Sequence, residues 1–153
     1  VTLIEQNQGP YYTHGAPERT DITDAAPGTA LLLTGYVLDD QCNPVAGATL
    51  DFWQADGNGS YDNNGYVLRG VQTTDENGAY ALTTVIPGQY PGRTEHVHVK
   101  VTAPNGPTYT TQLYFPESNA NGGDRFYVPE LDVTITSYDG SKMTAHFDMV
   151  LPA

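Results

Sequence analysis

Two histidines occupy alternate positions in the apolar segment "HVHVKV", residues 96–101. Because side chains alternate across a β-strand, His96 and His98 would share one face, about 7 Å apart at a rise of ~3.3 Å per residue. That separation suits two imidazoles that converge on one metal ion. It suits equally two ordinary polar residues on a solvated face, so the pair alone leaves both interpretations open.

Two tyrosines lie in loops that precede this segment. Tyr61 stands in "ADGNGSYDNNG", and Tyr90 stands in "IPGQYPGR" between two Pro-Gly-type turns. Neither loop offers the apolar neighbours against which an aromatic ring normally packs. Each tyrosine taken singly is explained as a loop anchor. Taken with the two aligned histidines, they form a candidate set of two tyrosine and two histidine ligands.

Such a set has a specific chemistry. A phenolate is a hard anionic donor, and a strongly charged cation displaces its proton, which is normally held with a pKa near 10. Two phenolates offset two of the three charges of Fe(III), and neutral imidazoles complete the coordination. Zinc and copper are more usually held by His, Cys or carboxylate. Ferric iron is therefore the metal that this set favours.

The elements that must position these residues are β-strands. Short β-branched and aromatic runs are separated by turn dipeptides about every ten residues, which is typical of a sandwich or barrel. Tight hairpins are predicted at Asn77-Gly78, Asn105-Gly106 and Asp139-Gly140. We expect an all-β, two-sheet sandwich of about eight largely antiparallel strands. We also expect an extended arm over residues 1–28 and a long functional loop over residues 115–130.

Length and composition limit the classes of protein. A chain of 153 residues suits one domain, 1–153, with a single core. Six basic and eighteen acidic residues give a net charge of -12, which repels nucleic acid and anionic membranes. Cys42 is the sole cysteine, which excludes an intrachain disulfide. Few lysines, and a start at Val1 without methionine, lead us to expect a processed or trimmed, secreted chain.

Four stretches resemble, in order as well as in type, the intradiol ring-cleaving dioxygenases, and the small exported single-domain members most of all. These stretches are "GYVLDDQCNPVAGATLDFWQADGNGSYD", "LRGVQTTDENGAYALTTVIPGQYPGR", "HVHVKV" and "TTQLYF". The resemblance covers nearly the whole chain. It implies one non-haem Fe(III) per chain and intradiol cleavage of catechols with O2, with cis,cis-muconate-type diacids as products.

The resemblance also implies the roles of individual residues. Tyr61 looks like the tyrosinate ligand that stays bound, and Tyr90 looks like the one that the substrate displaces. His96 and His98 look like the imidazole ligands. Arg93, three residues before the first histidine, matches an active-site arginine of the family. A surface ion pair of Arg93 with a nearby carboxylate, Glu95 or Asp62, is the alternative.

Further positions are carried over from the family in the same way. Gln112, in "TTQ", matches a glutamine beside the substrate ring. The opening "NQGPYY" is similar to the family's entry segment, which makes Gly9, Pro10 and Tyr11 candidates for a pocket wall. Only "PGRTE" separates Tyr90 from the histidines, fewer residues than in the cytoplasmic members, so we expect a shallower, more open site. The chain lacks the N-terminal helical stretch that dimerises some members, so we expect a monomer.

Two other functions are compatible with parts of the sequence. A non-catalytic β-sandwich could bind carbohydrate or protein through exposed tyrosines, of which the chain has eleven in total. A zinc hydrolase could use the histidines, but it would need an acidic base near them. Glu95 would point to the opposite strand face. Neither alternative explains two loop tyrosines beside two histidines in strand register.

Overall fold

The computed structural model describes residues 2–152 and contains nine strands and two short 3₁₀ helices. The predicted span 1–153 also includes Val1 and Ala153, which lie outside the described residues. The strands are β1 (Ala30–Leu38), β2 (Thr49–Gln54), β3 (Arg69–Thr73), β4 (Ala79–Val85), β5 (His96–Thr102), β6 (Thr108–Tyr114), β7 (Thr134–Tyr138), β8 (Lys142–His146) and β9 (Met149–Val150). The 3₁₀ helices are Asn121–Gly123 and Pro129–Leu131.

The strands form two sheets. One has the order β4-β1-β8-β7, with β9 also paired to β1, and the other has the order β3-β2-β5-β6. All pairs are antiparallel except β1 with β8 and β1 with β9, which are parallel. No helix within residues 2–152 is long and apolar enough to cross a membrane. The prediction of a two-sheet, largely antiparallel β-sandwich is confirmed.

The structure has nine strands, where about eight were expected, because the run "MTAHFDMVL", residues 143–151, forms two strands and not one. β8 ends at His146, and the chain then crosses Gly35 of β1. The Phe147 carbonyl accepts a hydrogen bond from the Tyr80 hydroxyl at 2.6 Å. A Cβ at Gly35 would overlap that carbonyl oxygen, so only glycine permits the crossing. Beyond it, Met149 and Val150 resume pairing with β1 as β9.

Strand β5 is buried on both faces. Val97, Val99 and Val101 are completely buried in the core between the sheets, as the alternation predicts. On the opposite face His96 and His98 are each only 2% exposed. The histidines therefore do not lie on a solvated face, and the interpretation as ordinary surface residues is wrong.

Residues 2–28 provide part of that cover, as predicted for an extended arm. The arm hydrogen-bonds to strands of both sheets: the Arg19 amide donates to the Val71 carbonyl, and the Ile22 amide donates to the Thr83 carbonyl, each at 2.9 Å. Ile22 is completely buried. The arm is thus fixed to the sandwich by backbone bonds and by core packing.

Candidate metal centre and pocket

Three side chains converge at the end of the second sheet. The Tyr61 hydroxyl lies 3.1 Å from His96 Nε2 and 3.0 Å from His98 Nε2. The ring of Tyr90 completes the group, with its centroid 5.9 Å from that of Tyr61 and 5.8 Å from that of His96. The structure therefore brings together all four residues that the sequence offered as metal ligands.

The two tyrosines are positioned by loops whose backbones pack against each other. The Gly88 amide donates to the Asp56 carbonyl at 2.8 Å. A Cβ at Gly88 would lie 2.5 Å from the Gly57 carbonyl oxygen, and a Cβ at Gly59 would overlap the Gln89 carbonyl oxygen. Gly59 also adopts a φ of +84°, which favours glycine. The glycine-rich composition of these loops is thus what lets the tyrosines approach each other.

The hydrogen bonding of His96 assigns its tautomer. Its Nδ1 lies 2.7 Å from the Thr94 carbonyl oxygen, which can only accept, so Nδ1 carries the proton and donates it. The Nε2 lone pair is then free to face the Tyr61 hydroxyl. A backbone carbonyl that fixes the ring in this way is the common support of a metal-bound histidine.

His98 is held by stacking. Its ring lies parallel to the Trp53 indole, with centroids 4.7 Å apart and an interplanar angle of 7°. Within residues 2–152, His98 Nδ1 and Trp53 Nε1 are buried without a hydrogen-bond partner. The stacking fixes the plane of the His98 ring, and within that plane Nε2 points at the Tyr61 hydroxyl.

Burial shifts the ionisation of the cluster. It lowers the pKa of His96 to about 4 and that of His98 well below its usual value, and the nearby Arg93 charge adds to both effects. Both imidazoles are therefore neutral near pH 7, which is the form that binds metals. Burial also raises the pKa of Tyr61, so its hydroxyl keeps its proton until a cation displaces it.

These shifts predict a pH dependence of stability for the metal-free chain. Between pH 6.5 and 4 the unfolded His96 binds a proton that the folded one does not, so stability falls as the pH drops. The loss is about 3 kcal/mol for His96, and His98 adds to it. Urea unfolding at pH 7 and pH 4.5 measures the difference. His96→Gln should flatten the pH dependence. An unaltered slope in the His96 variant would contradict the prediction.

Arg93 lies beside the cluster and is tied to a buried carboxylate. Its Nε donates to Asp124 Oδ2 at 2.8 Å, and the Asp124 side chain is completely buried. Burial disfavours the charged guanidinium, but the hydrogen bond and charge of Asp124 outweigh it and raise the Arg93 pKa. The alternative of a surface ion pair with Glu95 or Asp62 is therefore wrong.

Asp124 also supports the histidines. Its Oδ2 accepts a second hydrogen bond, from the Thr94 amide at 2.8 Å. The carbonyl of that same Thr94 holds His96 Nδ1. One buried carboxylate thus fixes both the arginine and the residue that orients the first imidazole.

Gln112 lies on β6 directly opposite His98. It is completely buried. Its Oε1 accepts a hydrogen bond from Arg93 Nη2, and its Nε2 donates to the Asn7 carbonyl at 2.8 Å. Gln112 therefore connects Arg93 to the N-terminal arm, in the position beside the pocket that the resemblance implies.

A pocket of about 440 Å³ opens beside the cluster. Its walls come from the arm, the Tyr90 loop, β6 and the 115–130 loop: Asn7, Gly9, Pro10, Tyr11, Tyr90, Arg93, Gln112, Arg125 and Phe126. Gly9, Pro10 and Tyr11, the three arm residues offered as a pocket wall, all lie in this lining. The Tyr11 ring stacks on Tyr61 with centroids 4.4 Å apart. A Cβ at Gly9 would lie 3.5 Å from His98 Cε1, so the arm backbone passes close to this imidazole.

Several residues of the site were not predicted. Nothing in the sequence singled out Asp124, Phe126, Thr94 or Trp53 as residues of the site. The one available signal was the unusual length of the 115–130 loop, which contributes Asp124 and Phe126. For Trp53, its cross-strand partnership with His98 depends on the β2–β5 register, which the sequence does not display.

A β-sandwich that presents two tyrosines and two histidines beside an aromatic-lined pocket defines a class with known relatives. The family model Dioxygenase_C, described as "Dioxygenase", matches residues 7–151. Hydroxyquinol 1,2-dioxygenase of Rhizobium sp. (strain MTP-10005) is 32% identical over 136 residues, which cover 71% of this chain and 46% of that protein. The chain spans about half the length of the curated relatives it matches.

Solved structures agree with this assignment. The dioxygenase domain of a dioxygenase–carbohydrate-binding protein fusion from Streptomyces sp. SirexAA-E is 43% identical, with a TM-score of 0.95 over 100% of this chain and 99% of that chain. 3-Chlorocatechol 1,2-dioxygenase from Rhodococcus opacus 1CP is 29% identical, with a TM-score of 0.88 over 98% and 72%. The chain belongs to the intradiol ring-cleaving dioxygenase family, as its motifs indicated.

Proposed function

We propose that the chain cleaves the aromatic ring of catechols between the two hydroxyl-bearing carbons, using O2 and one non-haem Fe(III) bound by Tyr61, Tyr90, His96 and His98. The observation that carries the proposal is the convergence of the Tyr61 hydroxyl and two imidazole Nε2 atoms within 3.0–3.1 Å. Both atoms of O2 enter the product, so the reaction from catechol to a cis,cis-muconate-type diacid balances without another reactant.

The residues present fit a trivalent cation. Two neutral imidazoles and the Tyr61 hydroxyl meet at one point with the Tyr90 ring beside them. A cation there would displace the proton that burial otherwise retains on Tyr61. The tautomer of His96 is already fixed in the metal-binding form by the Thr94 carbonyl. Bound Fe(III) would supply the Lewis acidity that activates a chelated catechol towards O2.

The side chains around this point would perform the remaining tasks. With the cation bound, Tyr90 would be a phenolate whose Oη would take up one of the two protons that a chelating catechol loses, and the other proton would pass to solvent. The Arg93 guanidinium, fixed by Asp124 and Gln112, faces the negative charge that develops on the ring. Tyr11 and Phe126 provide apolar walls for the aromatic ring.

The geometry favours this function over the two alternatives. Tyr61 and Tyr90 are half-buried and face the histidines, whereas the exposed tyrosines, Tyr36, Tyr66 and Tyr138, are not part of that cluster. A non-catalytic binding module would not require two tyrosines that face two buried histidines. For a zinc hydrolase, Glu95 is engaged elsewhere, since its carboxylate accepts hydrogen bonds from Gln89 and Ser118.

Spectroscopy and oxygen uptake test the proposal together. Because phenolate bound to Fe(III) absorbs visible light, the iron-loaded chain should be coloured, and anaerobic catechol should shift the band. On admission of air, O2 and catechol should disappear in equal amounts as the diacid forms. A fully iron-loaded chain that consumes no O2 with catechol, hydroxyquinol or 3,4-dihydroxybenzoate would overturn the proposal.

Secretion, a monomeric state and a shallow site stay predictions from the sequence.

A further inference from the structure

Arg125 differs from Arg19 and Arg93, which both pair with carboxylates. Arg19 pairs with Asp24 at 2.7 Å, and Arg93 pairs with Asp124. By contrast, Arg125 is exposed, and its guanidinium makes no ion pair or hydrogen bond within the part of the chain that the structure describes. It therefore presents a positive charge that no neighbouring carboxylate offsets.

The remaining basic residues do not offer a charge to the pocket. Arg69 is 1% exposed behind the Tyr61 loop, with Nε donating to the Asp62 carbonyl. Lys100 lies on β5, where its Nζ donates a hydrogen bond to the Thr110 hydroxyl of β6 at 3.0 Å. Lys142 lies on β8 of the other sheet. The pocket thus contains two guanidinium groups, of which only that of Arg125 is uncompensated.

The position of Arg125 is set by Phe126. The Arg125 Cζ lies 4.9 Å from the Phe126 ring centroid, and the Arg93 Cζ lies 5.0 Å from the same centroid. The two Cζ atoms are therefore at most about 10 Å apart. Such stacking of a guanidinium on an aromatic ring restrains the direction of the charge. Arg125 is therefore held at the wall of the pocket.

The pocket also has room for more than a simple catechol. Pockets of ~300–1,000 Å³ accommodate drug-sized ligands, and this one has about 440 Å³. A dihydroxybenzene ring beside Arg93 and Gln112 leaves space for a ring substituent. With a net charge of -12, the chain as a whole repels anions, so a single uncompensated cation at the pocket has a large relative effect on an anionic substituent.

We propose that Arg125 is a specificity-determining residue that favours catechols carrying an anionic substituent, in particular a carboxylate on the ring or on a short side chain. The inference rests on the proposed function, since it assigns a substrate class to that same pocket. Arg125 touches the substituent and not the reacting carbons, so it selects the substrate without taking part in ring cleavage.

Matched pairs of substrates test this role. 3,4-Dihydroxybenzoate and 3,4-dihydroxycinnamate are each compared with their neutral amides, for kcat/KM and for anaerobic Kd. Arg125→Gln should lower the acid-to-amide ratio about fivefold, because an exposed ion pair contributes up to ~1 kcal/mol. Arg125→Glu should lower it further, and Arg125→Lys should restore most of it. Lys142→Gln, which removes an exposed charge from the other sheet, should leave the ratio unchanged.

The outcomes separate this inference from the proposed function. A larger loss of kcat/KM for the acids than for the amides in Arg125→Gln supports the role. An unchanged ratio in both pairs overturns it, as does an equal loss for acid and amide, which would mean that Arg125 only packs on Phe126. A wild-type chain that cleaves catechol but none of the four compounds would overturn this inference alone, whereas one that cleaves neither catechol nor hydroxyquinol nor any of the four would overturn the proposed function.

Discussion

Replacing Tyr61 by Phe should lower turnover of the iron-loaded chain by more than about 100-fold, since changing even the outer partners of metal ligands typically costs 10–100-fold. The substitution removes a single oxygen atom, the one that lies within 3.1 Å of both imidazole nitrogens. The ring, and its stacking on Tyr11, would remain. Iron content after dialysis and the intensity of the visible band should both fall.

Tyr138→Phe is the matched control, because Tyr138 is 55% exposed on β7 of the other sheet. It should retain iron, colour and turnover. Thermal unfolding of the metal-free variants would show that both chains still fold. Full iron retention and an unchanged band in Tyr61→Phe would remove this residue from the ligand set and leave it as a loop anchor.

Replacing Arg93 by Met should slow turnover by about 100-fold or more, the usual effect of losing a group that stabilises developing charge. The visible spectrum of the iron-loaded chain should persist, because the four proposed ligands are untouched. Stability should also fall by about 3 kcal/mol, since Asp124 would be left as an unpaired buried charge. Stopped-flow turnover and urea unfolding measure the two effects separately.

The double variant Arg93→Met with Asp124→Asn distinguishes catalysis from structure. Removing the orphaned charge should recover most of the stability, while turnover should stay low. If turnover returned together with stability, the arginine would act only as a structural partner of the carboxylate, and its assignment to the reacting ring would be wrong.

The strand that carries the histidines was predictable from its sequence. Alternation alone placed Val97 and Val99 in the core and both imidazoles on the other face, and the family motifs led to Tyr61 and Tyr90. Burial of that second face was not predictable, because much of the cover comes from residues 2–28 and from the Tyr61 loop, 35 positions before His96. Neither segment has a periodicity that shows where it docks.

The supporting residues escaped prediction for a related reason. Asp124 is 31 positions from Arg93. In sequence it looks like any acidic loop residue, and its identity as the counter-charge appears only when the loop folds back. The ninth strand was missed because nothing in the sequence of residues 143–151 shows that the chain crosses Gly35 between β8 and β9.

The backbone packing between the Tyr61 and Tyr90 loops has a consequence for evolving new specificity. Because Gly57, Gly59 and Gly88 leave no space between the two loops, neither loop can be lengthened or shifted without displacing an oxygen donor of the other. Diversification of this chain is therefore confined to the opposite wall, where Arg125 and Phe126 lie on a different loop. Mutant libraries that are screened for activity on larger aromatic substrates should vary the residues of that wall.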